Sequence, residues 1–116
     1  MELNLCGVVG LTIYNKAIRD KIPEIIHDSG YDCTVKTLND DEFLSKLEEK
    51  LIEELQEYQE SKSVEELADI LEVIYRISEL KGTSKEQLDN LKDKKSQEHG
   101  TFKDNLFLID TTKSEN

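Results

Sequence analysis

The chain has 116 residues, a formal net charge of −11, 36% hydrophobic residues and 35% charged residues. That length suits one domain with a small core, and a pI near 4.6 excludes a general binder of polymeric nucleic acid, which needs a basic face for phosphates. No apolar run nears the roughly 18 residues of a transmembrane helix. The start lacks a basic leader, and Cys6 and Cys33 are too few for a disulfide framework. The simplest expectation is therefore a cytoplasmic protein that touches no membrane.

Residues 1–13 carry Leu3, Leu5, Val8, Val9, Leu11 and Ile13, interrupted by Gly7 and Gly10. They read as an extended N-terminal extension. The domain proper covers 14–110, and 111–116 reads as a flexible tail. A polar run, Tyr14-Asn-Lys-Ala-Ile-Arg-Asp-Lys-Ile22, leads into a short helix over about 23–29, with Pro23 at its first position and Gly30 at its end. Residues 31–38 alternate, Tyr31, Cys33 and Val35 on one side, which is a weak strand signal.

Asn39 or Asp40 can cap a long helix running to about residue 61. Phe43, Leu44, Leu47, Leu51, Leu55 and Tyr58 recur along it at helical spacing. Ser63 with Glu66 makes a capping-box pattern for the next helix, about 64–81. That helix is apolar over much of its circumference, from Val64 and Leu67 to Ile77 and Leu80. A helix so apolar must be surrounded by partners, which in a small domain predicts an oligomer. Gly82 ends it. Thr83 or Ser84 caps a peripheral helix over about 85–99, with Glu86 or Gln87 three residues on. Gly100 follows, and 102–109 reads as a short apolar segment, strand-like. Phe102 is expected to pack on the bundle, and Tyr14, Tyr58 and Tyr75 in the core or an interface.

The acidity has an address. Residues 40–79 hold fourteen acidic and four basic side chains, while the rest of the chain is nearly balanced. On a wheel of about 100° per residue, with Phe43 at zero, Glu54 falls near 20°, inside the apolar arc. Glu57 lies just off the edge of that arc. On the next helix Glu66 falls between Val73 and Ile77, and Asp69 beside Leu80. An ionised carboxylate buried alone costs several kcal/mol, so Glu54 and Glu66 require a cation or dense hydrogen bonding. Each has a carboxylate three residues later. Four oxygen donors on two antiparallel helices can converge on one hard divalent cation, Mg²⁺ above all; solvated ion pairing is the competing explanation. Arg76 is placed to partner Asp69 and Glu72, Arg19 to pair with Asp20 or a cluster carboxylate, and His27 and His99 at the surface.

At these residues the chain resembles a known family. Glu53-Glu54-Leu55-Gln56-Glu57 followed by Glu66-Leu67-Ala68-Asp69 is similar to the E-E-x-x-E … E-x-x-D signature of the MazG-like, all-α nucleoside triphosphate pyrophosphohydrolases. The similarity extends to Tyr14–Ile26 and to Lys94-Lys95 … His99-Gly100-Thr101-Phe102, which look like the small stand-alone branch labelled phosphoribosyl-ATP pyrophosphohydrolase-like. It spans roughly residues 13–109. The resemblance implies an all-α, MazG-like helical bundle assembled as a homodimer or homotetramer, to which the apolar stretches read above add short extended segments at the N-terminal region and C-terminus. It implies Mg²⁺, or Mn²⁺ as a substitute, held by Glu54, Glu57, Glu66 and Asp69, with Glu53 a further ligand or the base that orients water. It also implies hydrolysis of a nucleoside triphosphate between the α- and β-phosphates, giving a monophosphate and pyrophosphate, as in house-cleaning of noncanonical nucleotides.

The physical logic agrees: a polyanion meets carboxylates only through a bridging cation, and basic residues complete the phosphate clamp. Lys16, Arg19, Lys21, Lys94 and Lys95 are the candidates, with Lys92 beside them. Only residues 58–65 separate Glu57 from Glu66, fewer than the family's usual loop, and that loop helps shape the nucleotide pocket. Two alternatives stand beside this expectation: phosphoribosyl-ATP hydrolysis in histidine synthesis, and a helical interaction module without catalysis.

Overall fold

The computed structural model describes residues 10–115; the apolar residues expected in an extended segment over 1–9, and Cys6, lie outside them. The described residues form four α-helices: α1 (Ile22–Asp28), α2 (Asp40–Ser61), α3 (Val64–Leu80) and α4 (Lys85–His99). There is no strand among them, so the fold is all-α. The molecule is elongated, 70 × 32 × 21 Å.

Each long helix starts where a side-chain oxygen meets orphan backbone donors. Asn39 accepts from the Glu42 N–H at 2.9 Å, and Asp40, Asp41 and Glu42 in the first turn of α2 complement the helix dipole. Ser84 and Gln87 form a reciprocal capping box on α4. Ser63 caps α3 differently from expectation: its hydroxyl accepts from the Glu65 N–H at 3.2 Å, and Glu66 makes no reciprocal bond to the cap. The Glu66 side chain is instead half-buried among other carboxylates.

A connection of two residues, Lys62 and Ser63, folds α2 back on α3. Lys62 adopts the left-handed conformation, φ 56°, and its N–H donates to the Tyr58 carbonyl at 2.7 Å. This αL ending satisfies a terminal carbonyl of α2 within one residue. The hairpin encloses the core: Leu47 of α2 and Val73 of α3, flanked by Phe43, Leu51, Ile77 and Leu80. Burying a side chain such as Leu47 contributes about 1.5–3 kcal/mol. Ala17 is the third buried member of this cluster. It belongs to the irregular stretch before α1, and its single methyl lets that backbone lie against both helices.

α4 packs on α3. The Tyr75 hydroxyl donates to Asp89 at 3.0 Å, Lys85 sits over the Tyr75 ring at 4.9 Å, and the Ser78 hydroxyl donates to the Thr83 carbonyl at 2.7 Å across the turn.

The strand signals at 31–38 and 102–109 form no ladder. A strand holds only when its backbone groups find a partner, and no described segment lies alongside either stretch as one. Phe102 is 99% exposed instead of packed on the bundle, and Leu106, Phe107, Leu108 and Ile109 are exposed as well. Of the three tyrosines expected inside, Tyr58 and Tyr75 are half-buried and Tyr14 is exposed. Arg76 reaches Glu79, at 3.9 Å, rather than Asp69 or Glu72.

Candidate functional site

The α2–α3 hairpin brings the signature carboxylates together. Glu54 projects from the inner face of α2 and is 0% exposed, while Glu53, Glu57, Glu66 and Asp69 are half-buried around it. Carboxylate oxygens of Glu54, Glu66 and Asp69 lie within 4.8 Å of one another, and so do those of Glu53, Glu54 and Glu57. Helical spacing explains both sets. Residues three and four apart share a face, and the short hairpin sets Glu54 opposite the first two turns of α3. Glu57, which the wheel put just off the apolar arc, reaches the cluster from one turn beyond Glu54.

The electrostatics are those of crowded acids. Burial, a hydrogen bond with Glu54, and the charges of Glu54 and Glu66 push Glu57 up to about 7. At neutral pH, Glu57 therefore holds a proton for much of the time. For Asp69, burial opposes ionisation, yet hydrogen bonding and nearby positive charge, Arg19's included, outweigh it and hold the carboxyl below its ordinary range.

The stretch around Ala17 carries the cations. Lys16 donates to Glu53 Oε1 at 3.1 Å, and Arg19 Nη2 donates to Asp69 Oδ1 at 2.7 Å. Two of the predicted phosphate-binding residues thus sit on the rim of the cluster, one against each helix. Lys21, two residues after Arg19, is exposed. Lys94 is not at the cluster: it lies 4.0 Å from Glu98 on its own helix. Lys95 lines a surface cavity of about 430 Å³ with Leu88, His99 and Phe102. The α4 lysines are therefore set apart from the carboxylates by contact, while Lys16 and Arg19 are joined to them.

One residue of the cluster escaped the sequence reading. Lys50, one turn before Glu54 on α2, has a side chain only 1% exposed. Its ammonium lies 3.6 Å from Glu53 Oε1 and 3.6 Å from Glu54 Oε1 and makes no hydrogen bond. The wheel carried the signal: Lys50 falls near 340°, within about 40° of Glu54.

The donor chemistry fits a hard divalent cation. Carboxylate oxygens from two helices converge, one of them on a fully buried side chain, and burial and neighbouring acids keep Glu57 raised. Glu54, Glu57, Glu66 and Asp69 would hold such an ion, with Glu53 at its edge.

Comparisons with known proteins are sparse. No family model matches the chain, and no solved structure matches it. An uncharacterized protein of Mycolicibacterium smegmatis is 48% identical over 40 residues, which cover 34% of this chain and 41% of that protein.

Proposed function

We propose that this chain is a MazG-like nucleotide pyrophosphohydrolase, dependent on Mg²⁺ or Mn²⁺, that hydrolyses a nucleoside triphosphate to a monophosphate and pyrophosphate. The observation that carries the reading is the convergence of Glu54, Glu66 and Asp69 oxygens from two helices, with Glu54 fully buried. When bound, the divalent ion neutralises charge on the phosphoryl oxygens and polarises a water.

The chain's own residues then have separate tasks. Glu54, Glu57, Glu66 and Asp69 hold the ion. Glu53 meets Lys16 and Lys50 through Oε1, and its Oε2 is assigned as the proton acceptor for the attacking water. The water oxygen bonds to the α- or β-phosphorus as its proton passes to Glu53, the α–β anhydride P–O bond breaks, and the group leaving with the electron pair is pyrophosphate or the monophosphate respectively. Lys16 and Arg19 exchange their carboxylate partners for phosphate oxygens, Arg19 in a bidentate grip and Lys16 as a point charge.

The test is a pyrophosphate-release screen across canonical and modified nucleotides and phosphoribosyl-ATP, with Mg²⁺ or Mn²⁺. At least one nucleotide should be cleaved, and Glu54→Gln with Asp69→Asn should abolish release. Silence across the panel would overturn the reading. The ion pairs at Glu53 and Asp69 favour one competitor, a helical module whose carboxylates are neutralised by its own cations. Calorimetry separates the two, because that module takes up no divalent ion.

A further inference from the structure

The buried ammonium of Lys50 is not accounted for by packing or by substrate contact. It lies beneath the carboxylates, 3.6 Å from both Glu53 and Glu54, with its side chain 1% exposed. A buried ammonium ordinarily gathers close hydrogen bonds to repay its lost hydration, and this one makes none. Two ion pairs at 3.6 Å face it instead. Its neighbours divide the remaining tasks: Lys16 donates to Glu53 from the rim, Arg19 to Asp69, and neither reaches Glu54. Lys50 thus places a buried positive charge 3.6 Å from the fully buried member of the cluster.

We infer that Lys50 is a buried counter-cation of the carboxylate cluster: it stabilises the metal-free site through Glu53 and Glu54 and opposes entry of a free divalent ion. The inference rests on the proposed divalent site and adds how that site is tuned. Two consequences follow from Coulomb's law. Without metal, removing the ammonium takes a positive charge from 3.6 Å away from buried Glu54 and from Glu53. With metal, removing it takes a like charge from the ion's immediate surroundings, and the ion binds more tightly. Lys50 acts here as a positioning and tuning residue, through Glu53 and Glu54.

The experiment compares the wild-type chain with Lys50→Met, Lys50→Arg, Glu54→Gln and the Lys50→Met/Glu54→Gln double variant. Thermal melting is followed in chelator, and Mg²⁺ and Mn²⁺ binding is followed by calorimetry without nucleotide. In chelator, Lys50→Met should melt several degrees lower, Lys50→Arg should melt close to wild type, and the double variant should lose less than the two single losses together. Lys50→Met should bind the ions at least about tenfold more tightly than wild type. Additive losses in the double variant would overturn the counter-cation. So would weaker or equal ion binding by Lys50→Met while wild type binds. If neither protein binds either ion, the divalent site itself falls and the tuning with it. The melting coupling then reports a purely structural ion pair.

Discussion

At the scale of single residues, the site is a problem of excess negative charge with three kinds of solution. Lys16 and Arg19 pair with its rim, Lys50 sits beneath it, and Glu57 retains a proton. The proton gives a pH signature. The folded-state value for Glu57 is raised from 4.5 to about 7, so folding favours the protonated form. Its stabilisation is fully present below the unfolded value and is lost as pH rises through about 7. In chelator the melting temperature should fall across pH 5–8. An ion that takes the proton's place does the reverse: its affinity should rise over the same window, with up to one proton released per ion. Calorimetry in buffers of different ionisation enthalpy measures that proton. At the rim, the Arg19–Asp69 pair is partly exposed and is worth no more than about 1 kcal/mol. Arg19→Gln should therefore cost little stability while raising KM in the nucleotide assay.

At the scale of elements, the hairpin and its caps were legible before the structure. Glu54 among Phe43, Leu47 and Leu51 marked the inner face of α2, and Ser84 with Gln87 marked the start of α4, because helical period and capping chemistry are local. The two strand signals were misleading for a matching reason. Alternation at 31–38 reports side chains, whereas a strand needs a backbone partner elsewhere in the chain, which no local pattern supplies. Ala17 was illegible too, since nothing about one alanine announces a close approach of three segments. Its burial against Leu47 and Val73 makes it a test position. Ala17→Leu should overpack the junction at a cost of about 1–3 kcal/mol and displace Lys16 and Arg19 from the rim, seen as lower Tm with weaker nucleotide binding. Ser84→Ala is the control: it should cost about 1 kcal/mol through the lost cap and leave ion binding unchanged.

At the scale of the molecule, little of the apolar surface is inside. Ala17, Leu47, Ile70 and Val73 are the buried hydrophobics among the described residues. Val64, Leu67 and Leu71, spaced three and four apart along α3, remain exposed, as do Ile52 and Leu55 on α2. Helical geometry puts these residues on one side of the antiparallel hairpin, an apolar face where single chains ordinarily show scattered residues. This is the physical ground for expecting a homodimer or homotetramer. Analytical ultracentrifugation should find the wild type associated at micromolar concentration, and Leu67→Lys with Leu71→Lys should shift it toward monomer.

The two-residue link at Lys62 and Ser63 also bears on the order of assembly. All five carboxylates lie between residues 53 and 69, within one helical hairpin, and such local contacts form early in folding. The rim cations arrive from far away in the chain, Lys16 from 37 residues before Glu53 and Arg19 from 50 before Asp69. An early hairpin therefore meets its own repulsion with Lys50 as the nearest relief. Added Mg²⁺ should speed refolding in stopped-flow experiments as well as slow unfolding, because the ion is useful before the chain is complete.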